Sequence, residues 1–104
     1  MAGSIVNPGS VIEDHVIINT NSSVDHDCRI NSFVSIAPNV AIGGNVIIDK
    51  CSAICIGANV KHGIKIGKNS VIGAGATVLN NVSSNTLSYG TPSKTIRKLS
   101  LIHI

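Results

Sequence analysis

A β-branched residue stands at every sixth position from Val6 to Val78. The series runs Val6, Ile12, Ile18, Val24, Ile30, Ile36, Ile42, Ile48, Ile54, Val60, Ile66, Ile72 and Val78, thirteen members without an insertion. A second series follows each member by four residues, from Ser10, Val16, Ser22 and Cys28 to Ala76 and Val82, and all of it is small or apolar. A fixed short period marks a repeat architecture, in which each unit buries its apolar face only by stacking on its neighbours.

Six residues suffice for one short strand and one corner. Three such units close a triangular coil, and coils stack at the strand spacing of about 4.8 Å. The expected fold is therefore all-β, a left-handed parallel β-helix built of hexapeptide repeats, with about four triangular coils and a short C-terminal tail. Ile or Val fills the interior of each face, where a large ring would not fit. Composition agrees: 28 residues are Ile or Val, against one Phe, one Tyr and no Trp. Corners call for residues that tolerate positive φ, which gives the ten Gly and eleven Asn a structural role. Many follow the inward residue directly, as Asn7, Asn19, Asn31, Gly43 and Gly67 do.

Several function classes drop out. The net charge of +3 gathers late, at Lys94, Arg97 and Lys98. That is too local for a nucleic-acid groove and lacks stacking aromatics; a small anionic ligand suits it better. The stretch from Ile30 to Ile48 carries no charge, but Asn, Ser, Gly and Pro interrupt it, so no membrane span is expected. Cys28, Cys51 and Cys55 are odd in number and lack CxxC or zinc-ribbon spacing, which fits a reducing, cytoplasmic compartment. Cys28 falls on an inward position and reads as core; the other two read as inert thiols. No secretion signal opens the sequence.

The period stops after Val82, and three segments follow from that: residues 1–82 as the β-helix, 83–98 as a loop and basic tail, and 99–104 as foreign sequence. Within the second, Ser83 to Tyr89 reads as a connecting loop and Gly90 to Lys98 as a tail that folds back. Leu99 to Ile104 departs from everything before it and reads as a sequencing artefact.

A stride of eighteen places residues on one edge of the prism, one coil apart. His26, Gly44 and His62 form one column; Pro38, Ile56 and Ala74 form another. His26 lies between Asp25 and Asp27, and a carboxylate beside an imidazole orients it and raises its basicity as a general base. Gly44 can bring a bare backbone N–H to a reacting carbonyl. On pattern alone the bland alternative, a solvated corner histidine, stays open. His15 and His62 are weaker candidates, and histidines spread over two edges argue against a metal site.

The segments VDHDCRINSFVSIAPNVAIGGNV, IGKNSVIGAGATV and YGTPSKTIRK together resemble the sialic-acid O-acetyltransferase and bacillosamine-pathway sugar N-acetyltransferase family of hexapeptide-repeat acyltransferases. The likeness spans Met1 to Lys98. It implies an acetyl-CoA-dependent enzyme acting on an amino or hydroxyl group of a sugar, a nucleotide-linked amino sugar in surface-glycan biosynthesis. His26 matches the family's proposed base and Asp27 the acid that strengthens it. Gly44 matches the glycine whose N–H meets the thioester carbonyl. Ile56 and Ala74 match positions along the acetyl-CoA groove, and Lys94 is placed for CoA phosphates. Ser35 stands where many members have a second histidine that touches acetyl-CoA.

The resemblance further implies a homotrimer with CoA between neighbouring prisms. Members begin with an acceptor-binding α/β domain that this sequence does not contain, so the chain reads as the acyltransferase half of a longer enzyme. The alternative expectation is a catalytically incomplete fragment or a non-catalytic trimeric scaffold. Acetylation of serine or a simple sugar on the same fold is a related possibility.

Overall fold

Each inward Ile or Val ends a strand of two residues, and thirteen such strands follow one another around three faces. The computed structural model describes residues 3–98; the segment read as foreign, 99–104, lies outside them, as does Met1. Face A stacks β1 (Ile5–Val6), β4 (Ser23–Val24), β7 (Ala41–Ile42), β10 (Asn59–Val60) and β13 (Thr77–Val78). Face B stacks β2 (Val11–Ile12), β5 (Arg29–Ile30), β8 (Ile47–Ile48) and β11 (Lys65–Ile66). Face C stacks β3 (Ile17–Ile18), β6 (Ser35–Ile36), β9 (Ala53–Ile54) and β12 (Val71–Ile72), and continues into β14 (Thr86–Tyr89) and β15 (Lys94–Lys98). All pairings among the first fourteen strands are parallel, with Ile12 on Ile30 and Ile30 on Ile48 as examples of the register. The fold is a left-handed parallel β-helix of about five turns.

The core is the inward series itself. Ile30, Ile36, Ile48, Ile54, Ile66 and Ile72 are each under 2% exposed, and full burial of one such side chain contributes about 1.5–3 kcal/mol. Val6 and Ile12 remain partly open, because among the described residues a coil packs on only one side of the first turn. Ser22 and Ser52, buried in the second series, stay satisfied: each hydroxyl donates to a carbonyl of the next coil, Ala37 at 2.6 Å and Gly67 at 2.8 Å. Each also accepts a backbone N–H, from Val40 and Ser70.

The corners differ from expectation in one respect. Left-handed φ falls three residues after the inward residue, at His15, Asn21, Asp27, Phe33, Asn39, Asn45 and Cys51 among others. Residues directly after the inward one have other work. Asn7 reaches Asp25 and Asn31 reaches Asp49, each eighteen residues on, in side-chain ladders along an edge.

Coiling also continues past Val82, contrary to the loop read there. Val82 bridges to Ile66, and Leu87 and Ser88 of β14 pair with Val71 and Ile72, so the last turn has sixteen residues instead of eighteen. A stride of six steps over that two-residue deletion, which hid the turn. The tail does fold back: β15 runs antiparallel to β14.

Candidate active site

The chain leaves face A at Val24 and enters face B at Arg29, so Asp25 to Cys28 make the A/B edge of their coil. Asp27 takes the left-handed conformation there, with φ of 56°, which a short carboxylate side chain tolerates better than most. This turn sets its carboxylate beside the neighbouring imidazole, His26 Nδ1 lying 3.2 Å from Asp27 Oδ2, with both side chains exposed. On the preceding coil the residue facing Asp27 is Gly9, where any Cβ would collide with the carboxylate. Asp25 holds the other side: its Oδ1 accepts the His26 backbone N–H at 2.8 Å and the Asn7 amide at 3.4 Å.

One coil on, Gly44 occupies the place of His26. The imidazole leans across it so closely that a Cβ on Gly44 would stand 2.7 Å from His26 Nε2. The Gly44 N–H donates to no group among the described residues. When Nδ1–H donates to Asp27, Nε2 carries the ring's lone pair. An exposed proton acceptor thus stands directly over a buried, unclaimed amide donor, a pair able to deprotonate a nucleophile and receive a developing oxyanion. His62, next in the column, is exposed, and its backbone packs against Gly43. His15 is elsewhere, on the B/C edge, stacked on Phe33 with ring centroids 5.0 Å apart.

The remaining sequence candidates sit apart from this pair. Ser35 opens β6 on face C and is half-buried. Ile56 and Ala74 are exposed on the C/A edge, one coil apart. Lys94 opens β15, and the turn before it is pinned beside that edge by Ser93 N–H donating to Thr77 O at 2.8 Å and Thr77 N–H donating to Gly90 O at 3.0 Å. Within one chain, therefore, His26, Asp27 and Gly44 lie on one edge of face A, and Ile56, Ala74 and Lys94 on or beside the other.

Between the two edges runs a groove of about 350 Å³ along face A, with Asn7, Ser23, Asp25, Asn59, Lys61 and Thr77 in its walls. Of these, Ser23, Asn59, Lys61 and Thr77 escaped the sequence reading, and Asn7 and Asp25 were read there only as a corner and as a neighbour of His26. The signal was a third stride of eighteen, through Asn7, Asp25, Gly43, Lys61 and Leu79. Burial raises the pKa of Cys28 above the usual thiol value and keeps it protonated; Cys28, Cys51 and Cys55 are all unpaired. Among the described residues no three His, Cys, Asp or Glu side chains are grouped to hold a metal ion, and no helix is long and apolar enough to cross a membrane.

No protein-family model matches the sequence. The chain is similar to galactoside O-acetyltransferase of Lactococcus lactis, 31% identical over 100 residues, covering 85% of this chain and 42% of that protein. A variant of GDP-perosamine N-acetyltransferase from Caulobacter crescentus, solved in complex with CoA and GDP-perosamine, superposes with a TM-score of 0.93 at 35% identity, over 94% of this chain and 47% of that one. The acetyltransferase domain of PglB from Neisseria gonorrhoeae, solved with acetyl coenzyme A, gives 0.91 at 36% identity, over 92% and 47%. The chain spans less than half the length of each of these proteins. Hexad, coil and sequence likeness agree: the chain belongs to the hexapeptide-repeat acetyltransferases.

Proposed function

We propose that this chain carries the catalytic β-helix of an acetyl-CoA-dependent transferase that acetylates an amino or hydroxyl group of a sugar, a nucleotide-linked amino sugar of surface-glycan biosynthesis. The observation that carries this reading is the His26 imidazole, backed by Asp27 and lying over the unclaimed amide of Gly44. His26 Nε2 takes the proton of the acceptor as its nitrogen or oxygen attacks the thioester carbonyl. Asp27 holds the ring and offsets the imidazolium charge. Gly44 N–H donates to the tetrahedral oxyanion. As the intermediate collapses, the C–S bond breaks and the imidazolium returns the proton to the departing thiolate. Relatives solved with acetyl-CoA or CoA support the donor, and GDP-perosamine in one of them supports a nucleotide-sugar acceptor. The free thiols suit a cytoplasmic setting.

The assembly is a homotrimer, with each site shared between two copies. Its support is the separation of His26 and Gly44 from Ile56, Ala74 and Lys94 on opposite edges of one prism. Face C favours it too: from β3 to β14 its outward residues, Ile17, Ser35, Ala53, Val71 and Leu87, carry no charge. A neighbour's A/B edge seated on that face brings Ser35 and the C/A edge to the base, with Ile56 and Ala74 along the pantetheine and Lys94 toward the CoA phosphates.

The test is turnover of His26→Ala beside its acetyl-CoA affinity by calorimetry. A loss of about 10²–10⁴-fold in kcat with binding kept is expected for a general base, and retained turnover contradicts the role. Because the chain spans less than half of its relatives, a second reading applies: binding of acetyl-CoA without turnover by the unaltered chain marks a catalytically incomplete piece, and no binding marks a scaffold.

A further inference from the structure

We propose that the buried thiol of Cys28, above the hydroxyl of Ser10 one coil earlier, positions the two reacting corners from inside the prism, Cys28 acting on the Gly44 amide and Ser10 on the His26 corner. The inference rests on the catalytic reading of His26 and Gly44 and assigns them a common support.

Ser10 Oγ donates to Asp25 O at 2.6 Å and accepts the Cys28 N–H at 3.0 Å. Those two groups are the ends of the corner that carries His26 and Asp27, so one hydroxyl closes it. Cys28 repeats the arrangement one coil on, its thiol donating to Gly43 O at 3.0 Å. The Gly43 carbonyl and the Gly44 N–H belong to the same planar peptide unit, and this bond is trans. In a trans unit the two groups point in opposite directions. A carbonyl drawn to a buried sulfur therefore turns the Gly44 N–H away from the interior, on the side where the His26 imidazole covers the buried glycine.

Burial supports the assignment, because it holds Cys28 in the protonated form that can donate. The other staples of this kind among the described residues use serine: Ser4 on Asn19, Ser22 on Ala37, Ser52 on Gly67 and Ser70 on Ser83. Among them, the staple beneath Gly44 alone uses sulfur. Cys28 and Ser10 touch neither donor nor acceptor; they are positioning residues, and their effect belongs in kcat, not in substrate affinity.

The experiment compares Cys28→Ala, Cys28→Val and Cys28→Ser with Ser52→Ala, the same staple at the distant B/C edge, all in the whole chain. Loss of the donor in Cys28→Ala and Cys28→Val is expected to lower kcat by about tenfold or more, less than outright removal of an oxyanion donor. Acetyl-CoA affinity stays unchanged, Cys28→Ser recovers the rate, and Ser52→Ala keeps it. A readout that needs no turnover is the Gly44 amide in the ¹H–¹⁵N spectrum, which is expected to shift in Cys28→Ala and return in Cys28→Ser. An unmoved Gly44 amide overturns the proposal, and so does an equal loss of rate in Ser52→Ala. Full activity in Cys28→Ala beside an inactive His26→Ala overturns the positioning role alone; full activity in both overturns the catalytic reading beneath it.

Discussion

Two glycines decide whether His26 and Asp27 can sit where they do. Gly44→Ala pushes a Cβ against the imidazole, and Gly9→Ala pushes one against the Asp27 carboxylate from the coil below. Gly44→Ala is expected to lower kcat by about 10²-fold or more, with the melting temperature read alongside to show that the coil persists. Gly9 also holds a φ of +80°, so Gly9→Ala is expected to lose about 1–3 kcal/mol of stability in denaturant titration as well as activity. Asp49 makes a separate prediction in the acid range. Its carboxyl is held below the ordinary value by the Lys50 backbone N–H at 2.8 Å, then by the Asn31 side chain and the nearby lysines. A depressed folded pKa stabilises the protein above the unfolded carboxylate value of about 3.9 and loses that contribution as pH falls through the folded value. Unfolding midpoints of Asp49→Asn and the unaltered chain are thus expected to differ near neutral pH and converge below that window. At this scale the column of His26, Gly44 and His62 was legible from a stride of eighteen. The staples of Ser10 and Cys28 were not, because inward hydroxyls and thiols look like small filler until their carbonyl partners are placed.

The element scale is one of repetition. Each two-residue strand is too short to persist alone and is held by the coil on either side, so one buried isoleucine supports three rungs at once. Ile48, fully buried in β8 between β5 and β11, is the clearest case. Ile48→Ala is expected to cost about 2–5 kcal/mol, checked by denaturant unfolding. Strand positions and inward residues were readable because the period of six is uninterrupted from Val6 to Val78. The last turn was not. Its sixteen-residue length breaks the stride, and Ser88 takes the inward place that Ile72 holds one coil earlier. Corner conformation was half legible: Asn and Gly do take left-handed φ, but so do His15, Phe33 and Cys51, whose side chains give no hint of it.

For the whole molecule, the distribution of charge and apolar surface matters more than any single contact. Face C is uncharged along its coils, and Phe33 beside it on the B/C edge leaves 59% of its surface exposed. Both are surfaces that a second copy would cover. Ala53→Lys, placed in the middle of face C, is expected to shift the mass measured by light scattering from trimer to monomer and to abolish transfer while leaving His26 and Asp27 untouched. Complementation between two inactive variants tests shared sites most directly. His26→Ala disables the A/B edge and Ala74→Arg the C/A edge; co-expressed at equal levels, they assemble at random. In a ring of three, about a quarter of the sites then pair an intact A/B edge from one chain with an intact C/A edge from its neighbour. Acetyl transfer restored to about a quarter of the unaltered rate is the expected result, and no recovery in verified mixed trimers would contradict a site built between copies.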